Sequence, residues 1–209
     1  MIIVNFKAYE KATGKKAKKL SQLCRKASEE TGEEVVSVPQ HQDLRITEGE
    51  IFGQHLDPVE QGSHTGHVTA EGLKSTGASG TLINHSEMRI EDEKIRKSIK
   101  RAKEEGLRTV VCAQSPAECE KVSKFRPDYV AFEPPELIGG DISVSSAEPE
   151  LIKEAVERSE VDVLTGAGIK SKEDVEKSIE LGCKGVLVAS GVVKSENPYE
   201  EIVELCEGL

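Results

Sequence analysis

Eight short apolar runs with strand character alternate with helical stretches along this chain, and that alternation restricts it to parallel α/β architectures. The runs are Ile2 to Lys7, Val35 to Pro39, Ile51 to Gln54, Thr81 to His85, Thr109 to Ala113, Tyr129 to Phe132, Val161 to Thr165 and Gly185 to Ala189. Between the first two, Ala17, Leu20, Cys24 and Ala27 recur at helical spacing over Thr13 to Glu30, and Gly32 stops them. Ile95, Ile99 and Ala102 do the same over Glu91 to Glu105, closed by Gly106. Lys172 to Leu181, stopped by Gly182, and a last helix opened by Asn197-Pro198 complete the pattern. Ser115-Pro116-Ala117-Glu118 and Ser145-Ser146-Ala147-Glu148 carry capping-box spacing and predict helix starts at both places.

Two intervals are short. Only Asp43 to Glu48 separates the second and third strands, which predicts a stunted second helix, and Thr69 to Lys74 predicts a short third one. No shift in composition marks a linker, so residues 1–209 read as a single domain, a compact closed (β/α)8 barrel. Eight units in 209 residues, about 26 each, is tight against the ~250 usual for such barrels, so loops as well as the second helix have been trimmed. The competing architecture, an open doubly wound sheet, wants a glycine-rich turn after its first strand; Asn5-Phe6-Lys7-Ala8 has no glycine.

In a parallel barrel the strand C-termini gather on one rim, where active sites lie. At those ends stand Asn5, Lys7, Gln54, His85, Glu133, Gly166 to Gly168, Ala189 and Ser190. Alternation along the strands puts Ile3, Asn5 and Lys7 on one face, Thr81, Ile83 and His85 on one face, and Tyr129, Ala131 and Glu133 on one face. After Glu133, Pro134-Pro135 stiffen the chain and Gly139-Gly140 free it, the composition of a lid. Glu133 is the candidate base, whereas Glu136 lies inside the loop and cannot be held within reach of a proton. Lys7 in the mouth calls for an anion, a phosphate or a developing oxyanion. Gly139, Gly168, Ala189 and Ser190 offer backbone N–H groups to a phosphate, since loops after the seventh and eighth strands commonly form that cradle.

The charge balance narrows the partners. Acidic residues outnumber basic ones 38 to 28, a net charge of -10 that repels nucleic acid. No run approaches the ~18 apolar residues of a membrane span, and Met1 leads straight into Ile2-Ile3-Val4, so neither export nor membrane insertion is supported and a cytoplasmic setting is expected. Five scattered cysteines, Cys24, Cys112, Cys119, Cys183 and Cys206, without a C-x-x-C pair, suit reduced thiols better than disulfides or zinc.

Ala131-Phe132-Glu133-Pro134-Pro135 and its loop, Asn5-Phe6-Lys7, Gly62-Ser63-His64-Thr65-Gly66, Asn84-His85-Ser86-Glu87, Gly166-Ala167-Gly168 and Ala189-Ser190 together resemble, in order, the triosephosphate isomerase family in its shortened archaeal form. The resemblance covers nearly the whole chain. It implies a cofactor- and metal-independent aldose–ketose isomerase of glycolysis and gluconeogenesis, acting on dihydroxyacetone phosphate and glyceraldehyde 3-phosphate. Glu133 would be the proton acceptor, His85 the electrophile, and Asn5 and Lys7 the substrate-contacting strand end, with Phe6 between them. Ile138, Gly139, Gly168, Ala189 and Ser190 would contact the substrate and its phosphate. Ser86 capping a short helical turn would place helix-end N–H groups beside His85 and keep the ring neutral, an arrangement established for this family and taken over from it.

The chain departs from the family pattern at Ile138-Gly139-Gly140-Asp141, where relatives read I-G-T-G, and at Met88 within Ser86-Glu87-Met88-Arg89. Two other readings keep the barrel: a phosphate-binding barrel enzyme of different chemistry, and a barrel that binds a phosphometabolite without turnover. The loop Asp57 to His67 is long for a trimmed chain; in the family it docks beside the Asn5, Lys7 and His85 region of a neighbouring subunit, which implies a homodimer or homotetramer.

Overall fold

A computed structural model describes residues 1–135 and 144–209. Eight parallel strands close on themselves in sequence order: β1 Ile2–Asn5, β2 Val35–Val38, β3 Glu50–Gly53, β4 Gly80–Ile83, β5 Arg108–Ala113, β6 Tyr129–Phe132, β7 Asp162–Gly166 and β8 Val186–Val188. Ile2 sits between Val35 of β2 and Val186 of β8, which seals the ring. Each strand is buried on both sides. That is why so many read as continuous apolar runs and so few as alternations.

Inside the ring pack Ile3, Val36, Val38, Phe52, Leu82, Val110, Cys112, Ala131, Leu164 and Leu187. Large and small side chains must share a layer there: a Cβ on Gly80 would lie 2.6 Å from the Phe52 ring, so glycine is what admits that phenylalanine. The alternate residues, among them Val4, Phe6, Ile83, Val111, Phe132 and Val188, face outward into a second apolar layer covered by helices. Burying each such side chain contributes about 1.5–3 kcal/mol.

The helices follow the periodicity. Helix α1 (Lys15–Thr31) buries Ala17, Leu20, Cys24 and Ala27, and ends at Gly32, whose φ of 78° closes the last turn through a bond to the Ser28 carbonyl. No α-helix joins β2 to β3; the stunted second helix is a 3-10 stretch, His41–Ile46. Helix α2 (Ala70–Ser75) is short, and α3 (Asp92–Glu104) turns Ile95, Ile99 and Ala102 inward. Helix α4 (Pro116–Ser123) starts as expected, the Ser115 hydroxyl accepting from the Glu118 N–H. The Glu118 carboxylate takes the N–H of Gln114, one residue earlier than a full capping box requires.

The second expected cap is corrected. Ser145 lies inside a single helical turn, α5 (Val144–Ala147), and α6 (Pro149–Arg158) opens at Glu148–Pro149 without a side-chain cap, because proline fixes the first turn by itself. The full capping box is Ser171 with Asp174 at the start of α7 (Lys172–Glu180). A short α8 (Ser190–Val193) follows β8, and α9 (Pro198–Cys206) begins at the expected proline. All five cysteines are buried free thiols.

Candidate active site

The strand ends bring Asn5, Lys7, His85, Glu133, Gly168, Ala189 and Ser190 around one cavity at the mouth of the barrel. Glu133 gets there by plain strand extension. Its N–H donates to the Ala113 carbonyl at 2.8 Å, continuing the β5–β6 ladder by one residue, so its side chain follows Ala131 to the inner face. The residue is 6% exposed, and among the described residues its Oε2 atom has no hydrogen-bond partner. A Cβ on Gly166 would stand 2.7 Å from Glu133 Cγ and 2.9 Å from Oε1, so the carboxylate lies directly on the β7 backbone. Below it sits Cys112, whose thiol is raised well above its ordinary value by burial and by the negative charge of Glu133.

Lys7 and His85 arrive differently from what alternation implies. Strand β1 ends at Asn5, and Lys7 adopts a left-handed φ of 47°, held by its own N–H on Asn5 Oδ1 (3.0 Å) and by Gln54 Nε2 on its carbonyl (3.0 Å). Strand β4 ends at Ile83, which packs outward; a strand carried on to residue 85 would send the imidazole outward as well. Asn84, at φ 63°, reverses the direction and turns His85 into the mouth. The shared face of Thr81, Ile83 and His85 is therefore corrected. Ala167, at φ 75°, makes a third such bend beside Gly168, so three of the four non-glycine residues with positive φ among the described residues lie at this rim. Left-handed backbone of this kind costs ~1–3 kcal/mol at each position and gathers where geometry must be imposed.

The expected helix end beside His85 is also corrected. Residues 86–88 form a turn, and the next helix begins only at Asp92. One backbone group takes the place of a helix end: the Glu87 N–H donates to His85 Nδ1 at 3.2 Å. An N–H can only donate, so Nδ1 holds a lone pair and the ring proton sits on Nε2, which faces Glu133 Oε2 at 3.9 Å. The Glu87 carboxylate meets Lys7 Nζ at 2.9 Å, a pair in which the lysine side chain is 12% exposed and the glutamate 60%. The sequence motif contained Glu87, but strand and helix periodicity gave no sign that it holds the lysine.

On the far side, Gly168, Ala189, Ser190 and Gly191 line the cavity, and the first N–H groups of α8 have no partner within the helix. Lys170 and Tyr9 also line this side and were not among the expected site residues. Phe6 does not line the cavity: its ring is fully buried in the outer apolar layer, because it points opposite to Asn5. Ile138 and Gly139, like Glu136 and the Gly140-Asp141 departure, lie outside the described residues. Among the described residues no group of three or more His, Cys, Asp or Glu side chains could hold a metal ion.

Comparison with known proteins decides what the barrel belongs to. The family model for triosephosphate isomerase matches residues 1–207. This chain belongs to the triosephosphate isomerase family. It is similar to the triosephosphate isomerases of Methanosarcina acetivorans (45% identical, covering 98% of this chain and 96% of that one), Methanocaldococcus jannaschii (43%, 98% of each) and Methanothermus fervidus (42%, 98% and 96%). All three are archaeal, as the resemblance implied. The crystal structure of triosephosphate isomerase from Bartonella henselae shares the fold with a TM-score of 0.74 at 18% identity, covering 99% of this chain and 97% of that chain.

Proposed function

We propose that this chain interconverts dihydroxyacetone phosphate and D-glyceraldehyde 3-phosphate through an enediolate, with Glu133 as base, His85 as electrophile, and Lys7 and Asn5 stabilising the developing negative charge. Relatives named triosephosphate isomerase over 98% of the chain support an isomerase of this class. The observation that carries the assignment of roles is the pair Glu133 Oε2 and His85 Nε2. One is a buried carboxylate oxygen without a partner among the described residues, the other a ring N–H, and they stand 3.9 Å apart on one cavity.

The chemistry follows from those two atoms. Glu133 takes a proton from the hydroxyl-bearing carbon beside the ketone, and the electron pair left behind makes the enediolate. His85 Nε2–H donates to the oxygens while charge builds on them, and the Lys7 ammonium offsets that charge. Glu133 returns the proton to the neighbouring carbon while the hydroxyl proton passes from the first oxygen to the second by way of His85 Nε2, giving the aldose with no net change in oxidation state. The backbone N–H groups of Gly168, Ser190 and Gly191, with Ala189 setting the bend, suit a phosphoryl group. A coupled assay with glyceraldehyde 3-phosphate tests the reading: turnover supports it, and binding without turnover favours the barrel that only holds a phosphometabolite.

The chain also fits work as one domain in the cytoplasm; no helix among the described residues is long and apolar enough to cross a membrane. Self-association through Asp57 to His67 is supported by two features. Residues 60–67 are exposed, while the base of the loop is fastened by Asp57 to Val68 in both directions (2.9 and 2.8 Å) and by His55 Nε2 on Asp57 (3.3 Å). A second cavity of about 230 Å³, lined by Lys7, His41, Gln54, His85 and Met88 among others, opens beside the first, and Met88 at its edge is 52% exposed. A loop tip from a second copy would cover that methionine.

A further inference from the structure

We propose that Asn84 is a positioning residue that aims His85, by tying the turn after β4 to the same end of β5 that carries Glu133. The proposal rests on the isomerase reading above.

Asn84 occupies a left-handed conformation, φ 63°, which non-glycine residues adopt rarely and asparagine more readily than most. It is 1% exposed, so its amide must be satisfied inside the protein. Both ends of that amide are used. Nδ2–H donates to the Cys112 carbonyl at 3.0 Å, and Oδ1 accepts from the Ile90 N–H at 3.0 Å. Arg89, itself paired with Glu118, reaches the Asn84 carbonyl at 3.4 Å, and Glu118 is anchored on the Gln114 N–H.

The Cys112 carbonyl matters because of its neighbour. The next carbonyl along β5, that of Ala113, accepts the N–H of Glu133 at 2.8 Å. Consecutive peptide groups of β5 therefore hold the two arms of the site, Asn84-His85 on one side and Glu133 on the other. The amide also closes residues 84–90 into a loop, and inside that loop lie the Glu87 N–H on His85 Nδ1 (3.2 Å) and the Met88 N–H on the His85 carbonyl (2.8 Å). A glycine at 84 would adopt the same φ at less cost. The side chain is thus not needed for the bend as such. What it adds is a fixed bearing for the imidazole, set from β5.

The experiment compares the full-length protein with Asn84→Gly, which keeps the bend and deletes both amide bonds. Asn84→Asp, which keeps the acceptor for Ile90 but loses the donor to Cys112, is the second variant. Each is assayed with glyceraldehyde 3-phosphate, and the ¹⁵N signals of the His85 ring are recorded, assigned by their loss in His85→Gln. A displacement near 1 Å of a catalytic group typically costs about 10²-fold. We expect kcat to fall by roughly 10- to 100-fold with KM nearly unchanged, and the His85 nitrogens to move from one tautomer toward an average of two. Parental kcat together with an unchanged His85 pattern would overturn the proposal, even with a lowered Tm, since that is the mark of a purely structural asparagine. If the Gly variant does not fold, the Asp variant is judged by the same two readouts. Absence of turnover in the parent protein would instead overturn the isomerase reading.

Discussion

Replacing Gly166 by alanine adds one carbon and disturbs the site through Glu133 alone, the group proposed as base. The new Cβ would fall 2.7 Å from Glu133 Cγ and 2.9 Å from its Oε1, and ordinary contact begins at 3.4 Å, so Cγ must withdraw by about 0.7 Å. Gly166 is not among the residues with positive φ, and an alanine there meets no backbone strain. Glu133 is 6% exposed, with Ala131 and Cys112 behind it, so it has little room to retreat except into the cavity. Overpacking of this kind costs about 1–3 kcal/mol, and ~1 kcal/mol moves Tm by ~2–4 °C in a chain of this size. Because a shift approaching 1 Å in a reacting group costs up to about 10²-fold, kcat should drop by roughly 10- to 100-fold. The coupled assay and a thermal melt measure both. Parental kcat with a parental Tm would refute the reasoning, since it would mean that the carboxylate does not lie against β7.

His85→Gln keeps an N–H donor but loses the imidazole, and should lower kcat while an intermediate analogue still binds; binding lost with turnover intact would contradict its role. Thr65→Arg puts a charge on the exposed loop at 60–67 and should dissociate an oligomer built on it, seen by light scattering across a dilution series beside activity. Burial pushes the Cys24, Cys119 and Cys183 thiols up from 9.0 to about 12. Their folded values exceed the unfolded one, so the stability they contribute is complete below pH 9 and is lost as pH rises toward 12. Urea midpoints should therefore fall between pH 8 and 10.5, with thiol alkylation slow until the chain unfolds; fast labelling of the native protein would contradict this.

The architecture was legible because its signals are local. Apolar runs such as Val35 to Pro39 and Val161 to Thr165, and helix stops such as Gly32 and Gly106, act within a few residues and need no knowledge of partners. Glu133 was legible for the same reason, since it extends its strand by ordinary alternation. Lys7 and His85 were placed at the right rim by a pattern that does not carry them there. The left-handed turns at Lys7 and Asn84 leave no periodic trace, because the residues adopting them look like any polar residue after a strand. Phe6 shows the reverse case: its neighbours Asn5 and Lys7 both line the cavity, and alternation sends it alone into the outer layer. Ser145 lies within α5 instead of ahead of a helix, and the next helix opens at Pro149. The tie between Glu87 and Lys7 spans 80 positions and exists only once the barrel closes.

Transfer of the substrate proton by Glu133 is the central claim, and solvent exchange tests it most directly. Dihydroxyacetone phosphate is incubated in deuterium oxide with the parent protein and with Glu133→Gln, and the recovered triose phosphates are read by NMR. The parent should place deuterium on the carbon beside the carbonyl as it turns over, because the carboxyl proton exchanges with solvent. Glu133→Gln should fold, bind substrate and slow both isomerisation and deuterium incorporation by ~10²- to 10⁴-fold together. Incorporation by Glu133→Gln at the parental rate would contradict the account, and so would rapid isomerisation by the parent with no deuterium in either triose.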